Sequence, residues 1–311
     1  MMNTEEVRCG YLVSKQMKEL WSIQLELLSE LLRVCNALRI KVFASGGTLL
    51  GGVRHKGYIP WDDDIDVILF RKDYEILLKN GPSLLKKEYF LQSTYSDKIM
   101  RVHAQLRKNG TTCFTKGDFG SKYHKGIFID IFVYDKIPND ESERNAFKKA
   151  LMERWSKINK PKFTYLGENK VFSSFIHNIT FVLVKRIIWD IKNLFCLNRK
   201  KRFSKFEELC AKYNNTDSLF VSNVSFRGIN PKTDFLPFKL EWFNNPSIIQ
   251  FEDLLLFGPS NTDDYLKLQY GNYTDYVVGT SFHGNLFFDV SNDFSKYDKL
   301  TYRQFLSLFH H

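Results

Sequence analysis

Apolar side chains recur at helical spacing over residues 11–39, and this pattern predicts one long amphipathic helix near the start of the chain. A short strand candidate follows at 41–44, and a glycine-rich turn then leads into a helix that begins within 48–53. Residues 64–70 start with polar–apolar alternation and predict a strand, whereas residues 72–87 return to helical spacing. This order of elements is typical of a sheet flanked by helices.

The clearest buried strand lies at 127–133, where the sequence reads Ile-Phe-Ile-Asp-Ile-Phe-Val. Shorter strand candidates precede it at 90–93 and 102–107. The charge at the centre of the apolar run is Asp130. A carboxylate in such a strand is costly to bury unless it is paired, protonated or bound to a metal ion.

The pattern changes after about residue 140. Residues 141–209 are helical and basic, whereas residues 217–257 predict short strands and turns, and a short helix is predicted at 262–269. The sequence therefore predicts an α+β fold in two regions. These are a core with its N-terminal helix at 1–140, and a mostly helical, basic C-terminal region at 141–311.

Composition narrows the class of protein. The chain has 311 residues, of which 43% are hydrophobic, so it can bury a substantial core. Its formal net charge of +10 favours anionic partners, such as nucleotide phosphates, nucleic acid or an anionic membrane surface. No signal-peptide pattern starts the chain, and charges interrupt its most apolar stretch. Five cysteines without CxxC spacing predict reduced thiols and a cytoplasmic location: Cys9, Cys35, Cys113, Cys196 and Cys210.

Residues 46–66 join a glycine-rich turn to a group of aspartates. A Gly-Gly turn lets backbone N–H groups approach a phosphate. In a strand, side chains at i and i+2 share a face, so Asp64 and Asp66 should point the same way, with Asp62 in the same parity just before the strand. Carboxylates this close favour a hard divalent cation, and Asp130 is the natural third member.

Each part of this pattern also has a purely structural interpretation. The aspartates would form a solvated acidic turn, Asp130 would cap a loop or pair with an arginine, and the glycines would serve ordinary turns. Strand parity places Asp63 outside the metal group. The combined order is harder to explain structurally: a Gly-Gly turn, an Asp-x-Asp strand, and a later strand with a central aspartate. That order resembles the nucleotidyltransferase fold.

Longer motifs connect the chain to a family. They read Gly-Gly-Thr-Leu-Leu-Gly at 46–51, Arg-His-Lys-Gly at 54–57, Ile-Pro-Trp-Asp-Asp-Asp-Ile-Asp at 59–66 and His-Lys-Gly-Ile-Phe-Ile-Asp-Ile-Phe at 124–132. A weaker match is Tyr-Gly-Asn-Tyr at 270–273. These segments resemble the LicD family of phosphocholine transferases, which includes the fukutin-related proteins. The resemblance implies a nucleotidyltransferase-fold core, a mixed sheet flanked by helices.

The resemblance also implies an activity. It is the Mg²⁺-dependent transfer of phosphocholine or a related substituted phosphate from a CDP-activated donor to a hydroxyl of a cell-surface glycan, with release of CMP. Asp64 and Asp66 would bind one or two Mg²⁺ with help from Asp62, and Asp130 would complete the metal site or serve as base. The donor diphosphate would be held by Gly46, Gly47 and Thr48. Relatives that use CDP-ribitol, CDP-glycerol or a CMP-activated phosphonate leave the head group open.

Arg54 is a further candidate for binding donor phosphate, because arginine favours bidentate phosphate contacts; the alternative is a solvated basic turn. The basic helical stretch at 181–205 predicts either a helix on an anionic membrane surface or a helix packed on the core. The first interpretation suits a lipid-linked glycan acceptor on the inner membrane face. There are four weaker site candidates, each with a structural interpretation that is equally good for His55 and Trp61 and is favoured for His124 and His283.

Two other functions compete with this prediction. A nucleotidyltransferase would use the same carboxylates to attack the α-phosphorus of an NTP and would release pyrophosphate. A basic RNA-binding protein would explain the net charge, but the sequence carries no RNP-type or comparable signature. No nucleic-acid partner is therefore expected.

Overall fold

The computed structural model describes residues 4–158, 199–224, 235–278 and 286–309. The chain forms two compact units, one made of residues 1–137 and 219–311 and the other of residues 138–218. The division predicted at residue 140 lies close to the first boundary. From Leu219 onward, however, the chain returns to the first unit.

The described helices follow the predicted order. The first predicted helix, 11–39, is shorter in the structure, because residues 11–13 form a strand instead. Ser14 caps the start of the helix, and its side chain accepts a hydrogen bond from the Met17 amide. The predicted membrane-surface segment lies largely outside the described residues. The helices are α1 (Lys15–Ala37), α2 (Gly46–His55), α3 (Arg71–Leu84), α4 (Glu141–Ser156), α5 (Arg199–Cys210), α6 (Thr262–Tyr270) and α7 (Tyr302–Ser307).

The strands include several that the sequence did not predict, among them the N-terminal pair. They are β1 (Glu6–Arg8), β2 (Tyr11–Val13), β3 (Phe43–Ala44), β4 (Asp66–Phe70), β5 (Tyr89–Gln92), β6 (Ala104–Lys108), β7 (Thr112–Phe114), β8 (Phe128–Ile137), β9 (Phe220–Asn223), β10 (Phe238–Lys239), β11 (Ser247–Phe251), β12 (Leu254–Gly258) and β13 (Phe287–Asp289).

Nine of these strands form one mixed sheet in the first unit. The main path runs β10-β9-β8-β4-β3-β12-β11, and β6 joins β8 with β5 on its far side. The pairs β4–β8 and β3–β12 are parallel, and the other pairs are antiparallel. The predicted α+β class, a mixed sheet flanked by helices, is confirmed.

The centre of the sheet is deeply buried in this unit. In β8, Ile129, Ile131 and Val133 are fully buried on one face, and the opposite face carries Asp130. The apolar face anchors the strand in the core, so the position of Asp130 is set by the sheet rather than by a loop. None of the described helices combines the length and the apolar character that crossing a membrane requires.

Candidate functional site

The Gly-Gly turn is the start of α2. Gly46 has a φ of +51°, and the helix begins there directly after Ser45. A Cβ atom on Gly46 would lie 3.0 Å from Asp66 Oδ2, and one on Gly47 would lie 2.3 Å from Asp62 Oδ2. Glycine is therefore required at both positions because two carboxylates approach the helix start, where the N-terminal dipole favours negative charge.

Thr48, the next residue, was predicted to bind the donor diphosphate, and in the structure it makes a contact within the protein. It is buried, and its Oγ1 accepts a hydrogen bond of 2.8 Å from the Asp66 amide. This contact ties the first turn of α2 to the first residue of β4. It fixes the backbone from which the Asp66 side chain projects.

The aspartates before β4 lie in a loop, because the strand begins at Asp66 rather than at residue 64 as predicted. Two α1 side chains hold this loop through its backbone: Trp21 Nε1 donates to the Asp62 carbonyl at 2.9 Å, and Gln24 Nε2 donates to the Asp63 carbonyl at 2.7 Å. Strand parity therefore does not apply to Asp64. The side chains of Asp62, Asp63 and Asp64 therefore do not alternate between two faces, as the prediction assumed.

The loop brings three carboxylates together. One oxygen each from Asp62, Asp63 and Asp64 lies within 4.8 Å of the others. Asp63, which parity placed outside the group, is thus part of it. Burial, followed by the charges of Asp64 and Asp63, raises the pKa of Asp62 well above its usual value. An all-oxygen group with this repulsion fits a hard divalent cation such as Mg²⁺.

The sheet places the remaining two predicted carboxylates side by side. Asp66 and Asp130 are directly paired in the parallel register of β4 and β8, so their side chains share a face. Asp130 is buried, and its Oδ1 accepts a 2.6 Å hydrogen bond from Gln105 Nε2 and lies 2.9 Å from His103 Nε2. These two contacts of Asp130 are thus with an amide and an imidazole.

Tyr270, at the end of α6, borders the same group. Its hydroxyl would lie 3.8 Å from a Cβ on Gly46, the glycine that faces Asp66. Desolvation of the hydroxyl, followed by the negative charge of Asp66, raises the pKa of Tyr270. The C-terminal motif at 270–273 therefore reaches the carboxylates through this residue.

Arg54 lies on the face of α2 that Gly47 occupies, because seven residues make almost two full turns and about 10 Å along the axis. Its Nη1 donates to the Tyr273 carbonyl at 3.0 Å, and its guanidinium stacks 4.3 Å from the Tyr276 ring centroid. Nε and Nη2 are buried and form no hydrogen bond with the described residues. These two atoms are the edge with which arginine binds a phosphate in bidentate fashion.

The weaker candidates are mostly engaged by the protein. Both ring nitrogens of His124 have partners, since Nδ1 accepts from the Gly126 amide and Nε2 contacts Asn109. Burial and the charge of Arg107 lower the pKa of His124 to about 4, so the ring is neutral. These contacts favour its structural interpretation.

His55 and Trp61 lie near the N-terminal strands. His55 Nδ1 is 3.6 Å from Cys9 Sγ, and its ring is 5.5 Å from that of Tyr276. Trp61 packs against the core and meets Tyr11 edge-on, with 5.7 Å between ring centroids. His283 lies outside the described residues.

Sequence analysis missed the residues that support the carboxylates. Trp21 and Gln24 carry no motif, and their contacts to the loop depend on tertiary packing. His103, Gln105 and Arg107 did leave a signal. They recur at every second position of a predicted strand, which indicates a polar face on an otherwise buried strand.

Comparison with known proteins gives this site a class. Residues 39–166, which include the glycines and all five aspartates, match the family model described as LicD/FKTN/FKRP, nucleotidyltransferase domain. This part of the chain is therefore similar to a nucleotidyltransferase domain. The resemblance to the LicD family is therefore found again in the part of the chain that carries the candidate site.

Two relatives illustrate the extent of the match. The chain is 32% identical over 124 residues to the lipopolysaccharide cholinephosphotransferase LicD of Haemophilus influenzae. The aligned segment is 40% of this chain and 46% of that protein. The chain is 33% identical over 99 residues to an uncharacterized protein of Rickettsia prowazekii, covering 32% of this chain and 34% of the relative. The chain thus spans less than half the length of these relatives.

Proposed function

We propose that this protein transfers phosphocholine, or a related substituted phosphate, from a CDP-activated donor to a hydroxyl group of a cell-surface glycan. The hydroxyl oxygen attacks the distal phosphorus of the donor, the bond from that phosphorus to the bridging oxygen breaks, and CMP leaves. The observation that carries the proposal is the convergence of the Asp62–Asp64 group and Asp66 on the Gly46–Gly47 helix start. The cholinephosphotransferase name of the Haemophilus relative supports phosphocholine as the first candidate.

The residues fit a Mg²⁺ cofactor. The ligands we propose are carboxylate oxygens of Asp62, Asp64, Asp66 and Asp130, with Asp63 close enough to contribute. The chemistry that bound Mg²⁺ supplies is neutralisation of the diphosphate and of the charge that develops on the leaving CMP. The raised pKa of Asp62 supports the assignment, because the carboxylates repel each other when no cation offsets their charge.

The donor phosphates have two positively polarised partners in the protein. The first is the N-terminus of α2 at Gly46 and Gly47, where N–H groups are not used by the helix itself. The second is the Nε–Nη2 edge of Arg54 on the same helix face. Their separation of about 10 Å along the axis suits two ends of one extended donor better than one phosphate group.

The acceptor must lose a proton as its oxygen attacks, and a carboxylate is the base available at this site. We propose Asp130 for this role as the alternative to its binding the cation, because Gln105 Nε2 donates to its Oδ1 and so holds the carboxylate in place. Its position on β8, rather than in the loop, keeps it fixed relative to Asp66.

The acceptor we propose is a glycan of the lipopolysaccharide or capsule kind, free or lipid-linked, reached from the cytoplasmic side with peripheral membrane contact. The name of the Haemophilus relative, a lipopolysaccharide cholinephosphotransferase, supports a lipopolysaccharide acceptor. The basic charge of the chain is compatible with anionic lipids near such an acceptor.

The test is a donor panel. CDP-choline, CDP-ribitol, CDP-glycerol and CMP-aminoethylphosphonate are each offered with Mg²⁺ and a lipopolysaccharide or capsule preparation, and CMP is measured. We expect release from one donor, most readily CDP-choline, and none from the Asp66→Asn variant. CTP and ATP are tested in parallel for pyrophosphate. Pyrophosphate without CMP release would replace the proposal by the nucleotidyltransferase alternative, and release that survives both EDTA and Asp66→Asn would remove it.

A further inference from the structure

A row of buried polar residues crosses four neighbouring strands of the sheet. Asp66, Asp130, Gln105 and Gln92 are direct register partners on β4, β8, β6 and β5. Directly paired residues point to the same face of a sheet, so the four side chains form one continuous row. Asp130, Gln105 and Gln92 are each no more than 2% exposed. The row thus connects two carboxylates of the proposed site to two amides deeper in the protein.

Two arginines determine how these amides are oriented. Arg101 Nη1 and Arg107 Nη2 both donate to Gln105 Oε1. Arg107 Nε donates to Gln92 Oε1 at 2.6 Å, and Arg101 Nη1 donates to the same oxygen at 3.1 Å. Burial, followed by the charge of Arg101, lowers the pKa of Arg107 to about 10, so it stays protonated at neutral pH. Each amide oxygen therefore faces two guanidinium groups.

The polarity of this arrangement cannot be reversed. A guanidinium group only donates, so the amide of Gln105 must keep its oxygen toward the arginines and its NH₂ group toward Asp130. The NH₂ group in turn only donates, and Nε2 lies 2.6 Å from Asp130 Oδ1. A flipped amide would place Nε2 against two cations and Oε1 against a carboxylate. The arginines thus dictate that Asp130 accepts a hydrogen bond at Oδ1.

We propose that Gln105 is a positioning residue for Asp130: oriented by Arg101 and Arg107, its amide holds the Asp130 carboxylate in the fixed arrangement in which it faces Asp66 and binds the cation. This inference rests on the proposed function for the identity of the site. It adds a residue of β6, outside the motifs that identified the family. Gln105 acts through Asp130 and does not touch substrate.

The structure supplies a matched control one strand away. Gln92 is equally buried, accepts from the same two arginines, and donates from Nε2 to a carboxylate, Asp97 Oδ2, at 2.7 Å. Gln105→Glu and Gln92→Glu therefore make the same chemical change in the same network. They differ in the carboxylate that the new charge repels, Asp130 in the first and Asp97 in the second.

The experiment measures Mn²⁺ binding to the whole protein by electron paramagnetic resonance, together with kcat and KM for the donor identified in the panel. We expect Gln105→Glu to weaken Mn²⁺ binding and to lower kcat by roughly 10- to 100-fold each, which is usual for groups that orient a metal ligand, with a smaller change in donor KM. Gln92→Glu should stay within about 3-fold of wild type in Mn²⁺ binding, because it does not reach Asp130.

The outcomes separate this inference from the proposed function. Wild type that binds no Mn²⁺ and releases no CMP overturns the proposed function and this inference with it. Wild-type behaviour of Gln105→Glu, or equal losses in the two variants, overturns only the positioning role. Where Gln105→Glu does not fold, Gln105→Met is compared with Gln92→Met. Unfolding of both Gln105 variants but neither Gln92 variant would show that Gln105 serves stability rather than positioning.

Discussion

The five carboxylates of the proposed site are held in two different ways. In the loop of Asp62, Asp63 and Asp64, α1 binds the backbone at two carbonyls, and one oxygen from each of the three carboxylates lies within 4.8 Å of the others. In the sheet pair of Asp66 and Asp130, strand register sets the backbone, and neighbouring groups also act on the Asp130 side chain.

This difference corresponds to two tasks of the metal-dependent mechanism that we propose. The sheet pair is preorganised, so it can define where a cation and the reacting phosphorus lie without rearrangement. The loop group is electrostatically unfavourable until its repulsion is offset, so it gains most from a cation. We therefore expect substitutions in the sheet pair to act mainly on turnover and substitutions in the loop to act mainly on cation-dependent stability.

The largest effect should come from the sheet pair. We expect Asp66→Asn and Asp130→Asn each to lower kcat on the order of 10³-fold, because each removes a fixed charge from the point where charge develops in the reaction. Asp63→Asn, in the loop, should lose roughly tenfold or less, since the other loop carboxylates remain. CMP release measures the losses, and circular dichroism checks that all three variants fold. A loss for Asp63→Asn as large as that for Asp66→Asn would contradict the division between the two groups.

A smaller effect should come from the glycine that faces the loop. In Gly47→Ala the new Cβ would lie 2.3 Å from Asp62 Oδ2, so the Asp62 carboxylate must move away. We expect Mn²⁺ affinity to fall roughly 10- to 100-fold, with kcat reduced less. Gly117→Ala is the control, because its Cβ would meet only Thr115 Oγ1 at 3.6 Å, an ordinary contact. Unchanged Mn²⁺ affinity in Gly47→Ala would show that Asp62 does not bind the cation.

The same contrast explains what the sequence could predict. β8 was predicted because its apolar run indicates a buried strand, and the aspartate within that run, Asp130, stands out as a candidate site residue. The helix after the glycines was predicted to begin within 48–53, whereas it begins at Gly46. The prediction named Asp130 as the third carboxylate but did not include its direct pairing with Asp66, which is a contact between two strands. The arrangement of the loop was not predicted either, because parity holds only within a strand, and β4 begins two residues later than predicted.

The supporting residues could not be predicted for a related reason. Trp21 and Gln24 reach the loop from an ordinary amphipathic helix, and their positions in the sequence do not differ from those of core residues. The orientation of Gln105 depends on arginines that meet it only in the folded sheet. Such tertiary contacts leave no local pattern, whereas the polar alternation of β6 did indicate that a polar face exists.

The smallest effect should be on stability, and it tests the loop carboxylates separately from the sheet pair. Because the pKa of Asp62 is raised in the folded protein, the folded state binds this proton more tightly than the unfolded chain does. Without metal, this proton stabilises the folded state fully at pH values below the pKa of an unfolded aspartate, about 4. The stabilisation is lost as pH rises from there through the higher pKa of the folded state. We expect a contribution on the order of 1 kcal/mol, measured as a decline of Tm with pH in EDTA.

Asp62→Asn should flatten that decline, because the amide does not ionise, and added Mg²⁺ should remove it in wild type, since a ligand of the folded state alone stabilises that state. Asp253→Asn removes the same charge from an exposed position outside the site and should leave the wild-type decline in place. Parallel Tm curves for wild type and Asp62→Asn in EDTA would show that the loop carboxylates are not electrostatically crowded. The loop and the sheet pair would then differ only in how their backbones are held.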